Sequence, residues 1–283
     1  MKLSKNHKIL IVGLGLIGGS YAMSLSNKGY EVGAITLNQE DIDYALNNKI
    51  ISHGQNFVSK DYIEQFDVVI FALYPKMLLQ WIDTYHSYFK KGAIITDVTG
   101  IKQEIVDRIQ NTLKDVEFIG AHPMAGKEVY GVKNASATLF NKANYIVTPT
   151  EKNSKDAIEL AISIGEELSF ANISLLSPQK HDEMIAYLSQ LTHCIAISLM
   201  TCSENEHLKE YTGDSFKDLT RIANINENMW SELFLLNKDE LLKQMDLFIE
   251  KFSILKKTIE DENVEEMKEI MKLSTKRRKY FDK

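Results

Sequence analysis

A glycine-rich turn near the start of the chain limits the possible folds more than any other feature. An apolar run at residues 8–12 leads into G-L-G-L-I-G, with glycines at Gly13, Gly15 and Gly18, and a helical pattern follows. In a strand-turn-helix unit these glycines allow a tight turn, close approach of the backbone to a pyrophosphate, and close packing of helix on strand. The segment therefore predicts a β-turn-α unit that binds a dinucleotide.

Strand-like and helix-like segments alternate through the first 176 residues. The predicted strands lie at residues 8–12, 31–36, 66–73, 93–98, 118–121, 145–148 and 173–176. Helical patterns lie between several of them, at residues 19–28, 76–88, 102–113 and 154–169. Strands that alternate with helices predict an α/β parallel sheet.

The pattern changes after residue 176. Ser177 and Pro178 suit the N-cap and first turn of a helix. Residues 182–202 are apolar on most faces, residues 213–218 read as a loop between helices, and the tail from Leu241 is amphipathic and highly charged. We therefore expect only helices in this half of the chain.

The predicted architecture is an α/β Rossmann-type dinucleotide-binding domain at residues 1–175, followed by an all-α helical domain at residues 176–283. We expect the second domain to bind substrate and to form a homodimer through its apolar helices.

Composition excludes several classes of partner. The chain is 44% hydrophobic and 25% charged, with a formal net charge of −6, so we expect no nucleic acid partner, because phosphate binding needs concentrated positive charge. The polar, basic start and the glycine-broken apolar run suit neither a signal peptide nor a membrane span. Cys194 and Cys202 are too far apart along one helix to form a disulfide, and no metal-ligand spacing is present. We expect a cytoplasmic protein without a bound metal.

The end of the second predicted strand bears on the choice of cofactor. It reads Ile35-Thr36-Leu37-Asn38, where a carboxylate usually binds the ribose 2′-hydroxyl of NAD. Without that acid a 2′-phosphate is not repelled, although no arginine stands nearby to pair with it. We expect NAD or NADP, with a slight lean to NADP. The expected cofactor contacts are Gly13, Gly15, Leu16, Ile17, Gly18, Thr36 and Leu73.

A histidine follows the strand-like run at residues 118–121. His122 lies in A-H-P-M-A-G, at the carboxyl end of a strand, where ligands gather in open α/β sheets. Its imidazole suits a base that accepts the proton of a substrate hydroxyl while hydride leaves. A histidine that is merely hydrogen-bonded in a loop is the alternative.

Two further segments offer polar groups. Residues 97–102 bring a carboxylate, a hydroxyl and an amine near the same edge, and N-capping of the next helix is a role that coexists with any chemical one. Arg221 lies among apolar neighbours and needs an anionic partner. A substrate carboxylate and an internal acidic side chain both satisfy that need.

These segments, in this order, resemble the prephenate and arogenate dehydrogenases of tyrosine biosynthesis over nearly the whole chain. The shared motifs are G-L-G-L-I-G-G-S at 13–20, D-V-T-G-I-K at 97–102, H-P-M-A-G-K-E at 122–128, L-F at 139–140, H-D at 181–182, L-S-Q-L-T-H at 188–193, F-K-D-L-T-R-I-A at 216–223 and N-M-W-S-E-L-F-L-L-N at 228–237.

The resemblance implies a role for each matching residue. His122 corresponds to the histidine that hydrogen-bonds the ring hydroxyl of prephenate, and Arg221 to the arginine that holds a substrate carboxylate. Ser189, His193 and Trp230 correspond to the lining of the substrate pocket, with Trp230 reaching across a dimer interface. A further acidic position beside the active site corresponds to Glu128.

Three departures from the family pattern matter. Thr99-Gly100 stands where the family usually has Gly-Ser, so the family serine is absent. We expect Thr99 to supply the hydroxyl in its place, as a third catalytic residue beside His122 and Arg221. Gln190 replaces a common histidine. Lys127 replaces a common serine and adds a positive charge for a dianionic substrate. We also expect no fused regulatory or mutase domain.

The reaction implied by the resemblance is NAD(P)-dependent oxidative decarboxylation of prephenate to 4-hydroxyphenylpyruvate. Arogenate dehydrogenase is the nearest alternative, because the two substrates differ only in the side chain. Another β-hydroxyacid dehydrogenase is a second alternative, although no suitable lysine motif stands out. A non-catalytic NAD(P)-binding redox sensor is the third.

Overall fold

The computed structural model describes residues 1–127 and 129–281. The strands are β1 (Lys8–Val12), β2 (Glu31–Ile35), β3 (His53–Gln55), β4 (Val68–Phe71), β5 (Ile94–Asp97), β6 (Glu117–Pro123), β7 (Asn144–Thr148) and β8 (Asn172–Leu175). The helices of this half are α1 (Leu16–Asn27), α2 (Gln39–Asn47), α3 (Lys60–Ile63), α4 (Pro75–Tyr85), α5 (Gln103–Thr112) and α6 (Lys155–Glu167). Short 3-10 turns lie at His86–Tyr88 and Val132–Asn134.

The described strands form one eight-stranded sheet in the order β3-β2-β1-β4-β5-β6-β7-β8. The first six positions follow the order of a Rossmann fold, with the topological switch between β1 and β4. The strands from β3 to β6 are parallel, so their carboxyl ends lie along one edge. The α/β prediction for this half is confirmed.

Two details of the sheet were not predicted. The short strand β3 was missed, because three half-buried residues give no apolar run. The expectation of a wholly parallel sheet was wrong at β7, which is antiparallel to β6. Among the residues of this connection that the structure describes there is a 3-10 turn but no crossover helix, so β7 starts at the edge of the sheet where β6 ends and runs back beside it.

Alternating residues of the central strands feed two apolar layers. Ile9 and Ile11 of β1 face the layer that holds α1, α2 and α6, whereas Leu10 and Val12 face the layer that holds α4 and α5. Burial on both sides explains why the strands read as continuous apolar runs.

The rest of the described chain is helical. Its elements are α7 (Pro178–Ile185), a π-helical turn (Ala186–Gln190), α8 (Leu191–Thr201), α9 (Leu208–Tyr211), α10 (Asp214–Thr220), a 3-10 turn (Arg221–Ala223), α11 (Glu227–Leu236), α12 (Lys238–Glu260), α13 (Val264–Arg278) and a final 3-10 turn (Lys279–Phe281). Ser177 caps α7 by accepting a hydrogen bond from the backbone N–H of Lys180, with Pro178 in the first turn, as predicted. The loop expected at residues 213–218 was wrong, since Gly213 is the N-cap of α10.

The helical half packs against the α4–α5 side of the sheet. Leu233 of α11 is buried in the same apolar layer as α4 and α5. The side chain of Glu232 accepts a hydrogen bond from the backbone N–H of Lys76, at the start of α4. These contacts bring α11 up to the carboxyl edge of the sheet.

Candidate active site

The glycine turn between β1 and α1 is shaped for a bound phosphate group. A Cβ on Gly18 would lie 1.9 Å from the carbonyl oxygen of Gly13, and one on Gly13, at φ +99°, would lie 2.5 Å from that of Ala72. Gly15 is exposed, and a Cβ there would meet nothing within 4 Å. The first turn of α1 has no acidic residue and no side-chain cap. Its backbone N–H groups therefore suit the pyrophosphate of a dinucleotide.

The other predicted cofactor residues surround this turn. Leu16 and Ile17 form the start of α1, with Leu16 buried. Thr36 follows β2 and donates its backbone N–H to the carbonyl of Gln55. Leu73 follows β4 and lies close to Gly13. The structure thus brings all seven predicted cofactor residues to one end of the sheet.

A buried ion pair lies behind the neighbouring strand ends. The ammonium group of Lys102, at the start of α5, donates to the carboxylate of Asp97, at the end of β5, over 2.6 Å, and both side chains are fully buried. Asp97 also accepts from the backbone N–H of Ala121 in β6. The pair therefore ties β5, α5 and β6 together at the sheet edge.

Thr99 belongs to this buried network. Its hydroxyl lies within hydrogen-bond distance of the carboxylate of Asp97 and the carbonyl of Ile101, to one of which it donates its single proton, and it accepts from Lys102 over 3.0 Å. Within residues 1–127 and 129–281, none of its hydrogen bonds reaches His122. The structure therefore does not support Thr99 as the hydroxyl that assists His122, because the ion pair already occupies that group.

His122 lies near the end of β6, and its ring is hydrogen-bonded to a second histidine. Its Nδ1 is 2.9 Å from Nε2 of His181 in α7. Nδ1 of His181 is in turn 2.7 Å from Oδ1 of Asp182. The carboxylate of Asp182 accepts the backbone N–H groups of Lys102 and Gln103, at 2.8 Å each. A continuous chain of hydrogen bonds thus runs from His122 to the N-terminus of α5.

The surroundings keep both imidazoles neutral. Burial lowers the pKa of His122 well below its usual value, and the neighbouring His181 and the ammonium group of Lys102 lower it further. Burial also lowers the pKa of His181, against the opposing effect of Asp182. A neutral His122, still partly exposed, can accept a proton at neutral pH.

The helical half contributes an aromatic wall. The imidazole of His193 in α8 stacks on the indole of Trp230 in α11, with ring centroids 3.6 Å apart. Nδ1 of His193 donates to the carbonyl of Ser189, in the π-helical turn, over 2.8 Å. All three residues are half-buried. The structure therefore brings together the three residues predicted to line the substrate pocket, with Trp230 against His193 of its own chain.

The described charged residues that were predicted to bind substrate lie at the surface of the protein. Arg221 is exposed and begins the 3-10 turn that packs against α8, the helix that carries His193. Lys127 is exposed in the loop after β6. Glu128 lies outside the described residues.

Sequence reasoning missed the partners of His122. His181 and Asp182 were identified only as a shared motif, although both are buried beside His122. Gln190, noted only as a replacement, donates to the carbonyl of Leu233 and accepts from Asn237 over 2.8 Å. A signal was present, because polar residues in the apolar run of α7 and α8 need partners.

Comparisons with known proteins agree with this geometry. The model of the prephenate dehydrogenase nucleotide-binding domain matches residues 21–173, and that of the prephenate dehydrogenase dimerization domain matches residues 177–273. The chain belongs to the prephenate dehydrogenase family. The matched ranges meet where the sheet ends and α7 begins.

Individual relatives extend over most of the chain. A prephenate dehydrogenase of Bacillus subtilis (strain 168) is 32% identical over 267 residues, covering 92% of this chain and 72% of that protein. A cyclohexadienyl dehydrogenase of Zymomonas mobilis is 28% identical over 278 residues, covering 95% of this chain and 94% of that protein. The crystal structure of an Aquifex aeolicus prephenate dehydrogenase in complex with hydroxyphenyl propionate and NAD+ is also similar, with a TM-score of 0.89 and 30% sequence identity. The match covers 99% of this chain and 100% of that chain. The chain is thus similar to prephenate and cyclohexadienyl dehydrogenases over nearly its whole length.

Proposed function

We propose that this member of the family is an NAD(P)-dependent prephenate dehydrogenase that converts prephenate to 4-hydroxyphenylpyruvate. The observation that carries the proposal is the neutral, partly exposed His122 at the same sheet edge as the glycine turn. A proton acceptor beside a dinucleotide cradle is what oxidation of a ring alcohol requires.

In the proposed reaction, His122 acts as the base and the ring hydroxyl of prephenate is oxidised. The bound dinucleotide supplies the hydride acceptor. His122 accepts the proton of the ring hydroxyl as that carbon is oxidised, and the ring then loses carbon dioxide and becomes aromatic. Aromatisation makes the reaction effectively irreversible.

The helical half holds the substrate. Arg221 pairs with a substrate carboxylate, because a guanidinium offers two parallel donors to two carboxylate oxygens. His193, stacked on Trp230, and Ser189 form the wall against the ring. Lys127 adds positive charge for the second carboxylate of a dianion.

The cofactor preference is proposed to lean to NADP. Thr36 stands at the end of β2, and the next residues with carboxylates, Glu40 and Asp41, lie in the first turn of α2. No carboxylate at the strand end therefore opposes a 2′-phosphate.

We propose a homodimer formed through the helical half. The helix Pro178–Thr201 is apolar and long enough, by length and composition alone, to cross a membrane, yet only 28% of its most apolar stretch is buried within the chain. Exposed apolar side chains continue along α12, at Leu247, Ile249 and Phe252. A second subunit would cover both surfaces in a cytoplasmic protein.

An assay with prephenate against NAD and NADP separately tests the proposal. Steady NADH or NADPH formation with release of 4-hydroxyphenylpyruvate supports it, and cofactor binding without turnover favours the redox sensor. Comparing kcat/KM for prephenate and arogenate decides between the two substrates, and a large preference for arogenate would replace the first choice.

A further inference from the structure

We propose that Asp182 and His181 are positioning residues that keep the ring proton of His122 on Nδ1 and leave Nε2 free to accept the substrate proton. The inference rests on the proposed function, since it assigns the atom of His122 that acts as base.

The direction of the hydrogen bonds can be worked out from the carboxylate end. Asp182 accepts the backbone N–H groups of Lys102 and Gln103 at the start of α5, one on each carboxylate oxygen. A carboxylate can only accept, so His181 donates to it from Nδ1 over 2.7 Å. The proton of His181 is therefore fixed on the nitrogen that faces Asp182.

The next link follows from the neutrality of His181. A neutral imidazole carries one ring proton, so Nε2 of His181 is an acceptor. Nδ1 of His122, 2.9 Å away, must then be the donor. The second nitrogen of His122, Nε2, is left with its lone pair.

The charges around the pair favour this arrangement. His181 is fully buried, and its ring has Asp182 on its own helix and the Asp97–Lys102 pair across from it. The ammonium group of Lys102 opposes a second positive charge on either imidazole. A cation on His122 is therefore confined to the moment of proton transfer, when its Nδ1–H strengthens the hydrogen bond to His181.

The carbonyl of Asp182 is also held in place. It accepts a hydrogen bond from the side chain of Asn237, at the start of α12, over 3.0 Å. Asn237 also donates to Gln190. The positioning pair is thus fixed on one side by α5 and on the other by α12.

The variant Asp182→Asn is expected to move the ring proton of each histidine to its other nitrogen. An asparagine oxygen that stays with the N–H of Gln103, which Oδ2 of Asp182 accepts, leaves the NH2 at the position of Oδ1. There the NH2 would donate to Nδ1 of His181, and the N–H of Lys102 would lose its acceptor. Nε2 of His181 would then donate to His122, whose proton would move to Nε2. We expect kcat to fall by about 10²- to 10⁴-fold, as for a base held in the wrong tautomer.

Two substitutions of His181 separate positioning from packing. The glutamine of His181→Gln can accept a hydrogen bond from His122 and donate one to Asp182, so we expect kcat to stay within about tenfold of the wild type. Loss of a general base lowers kcat by at least about 10²-fold. His181→Leu removes the acceptor and also one cause of the low pKa of His122, so the acidic limb of kcat/KM moves to higher pH. His86→Leu, in the 3-10 turn at the opposite end of α4 from the site, is the matched control and leaves both quantities unchanged.

Nitrogen NMR of histidine-labelled protein reads the tautomer directly, without turnover. We expect His122, identified by the signals lost in His122→Asn, to carry its proton on Nδ1 in the wild type and on Nε2 in Asp182→Asn. A wild-type proton on Nε2 of His122 overturns the inference, as does a folded His181→Leu protein that keeps kcat. If prephenate is not oxidised at all, the proposed function fails, whereas the tautomer remains measurable. Thermal unfolding and cofactor binding confirm that each variant is folded, and His181→Gln keeps the test open if Asp182→Asn does not fold.

Discussion

The imidazole of His193 and the indole of Trp230 lie nearly parallel, with an interplanar angle of 30° and centroids 3.6 Å apart. This contact joins α8 to α11, which are 37 residues apart at these positions in sequence, and gives the helical half a flat, half-buried surface. A six-membered ring substrate could pack on such a surface, which is the role proposed for this pair.

The first prediction concerns this wall. Trp230→Ala removes the stacked partner of His193, and an aromatic pair contributes about 0.5–1.5 kcal/mol beyond burial. We expect KM for prephenate to rise by about two- to tenfold, while KM for the cofactor is unchanged. Trp230→Phe keeps an aromatic face and should stay near the wild type. An equal rise in both KM values would show that the change is not local to the substrate pocket.

The second prediction compares two glycines of the same turn. Gly15→Ala places a methyl group in open space, where the pyrophosphate would lie, so the protein should fold normally and bind NAD(P) more weakly. Gly18→Ala places it against the carbonyl of Gly13 and should lower the free energy of unfolding by about 1–3 kcal/mol, the usual cost of overpacking. Thermal melts and cofactor titrations distinguish the two effects. Normal cofactor affinity in a folded Gly15→Ala protein would place the phosphate elsewhere.

Much of the fold could be predicted from sequence because burial on both sides leaves a strong pattern. The strands β1 and β4 are apolar runs, and the glycines mark the first turn. The antiparallel β7 could not be predicted, since its direction depends on how the loop after β6 returns. The short β3 has too few apolar residues to be recognised.

The site was predictable in part. His122 and the glycines have local signals, because their chemistry depends on neighbours in sequence. The hydrogen bond from His122 to His181 spans 59 residues and depends on how α7 packs on the sheet edge. The same is true of Thr99, whose hydroxyl is taken up by a buried ion pair that sequence does not reveal.

The third prediction tests cofactor choice. Thr36→Asp introduces at the end of β2 a carboxylate that can bind a ribose 2′-hydroxyl and repel a 2′-phosphate. We expect the ratio of kcat/KM for NADP to that for NAD to fall by at least about tenfold, equivalent to about 1.4 kcal/mol. Thr36→Asn, of the same size but uncharged, is the control. An unchanged ratio in Thr36→Asp would mean that the end of β2 does not face the ribose.

The fourth prediction concerns the substrate carboxylate. Arg221→Ala should raise KM for prephenate by about 10- to 100-fold, the scale of a hydrogen bond to a charged group, with a smaller effect on kcat. Arg221→Lys keeps the charge but loses the paired donors, so we expect an intermediate KM. A KM close to the wild-type value in Arg221→Ala would assign the carboxylate to another residue, and Lys127→Ala would then be the next variant to measure.

The most direct test of the account is the turnover of His122→Asn with prephenate at saturating cofactor. Asparagine keeps a polar side chain at the end of β6 but cannot accept a proton as a base, so we expect kcat to fall by about 10²- to 10⁴-fold with little change in KM. Cofactor binding and thermal unfolding serve as controls that the protein is intact. A folded His122→Asn protein that oxidises prephenate at the wild-type rate would contradict the assignment of His122 as the base.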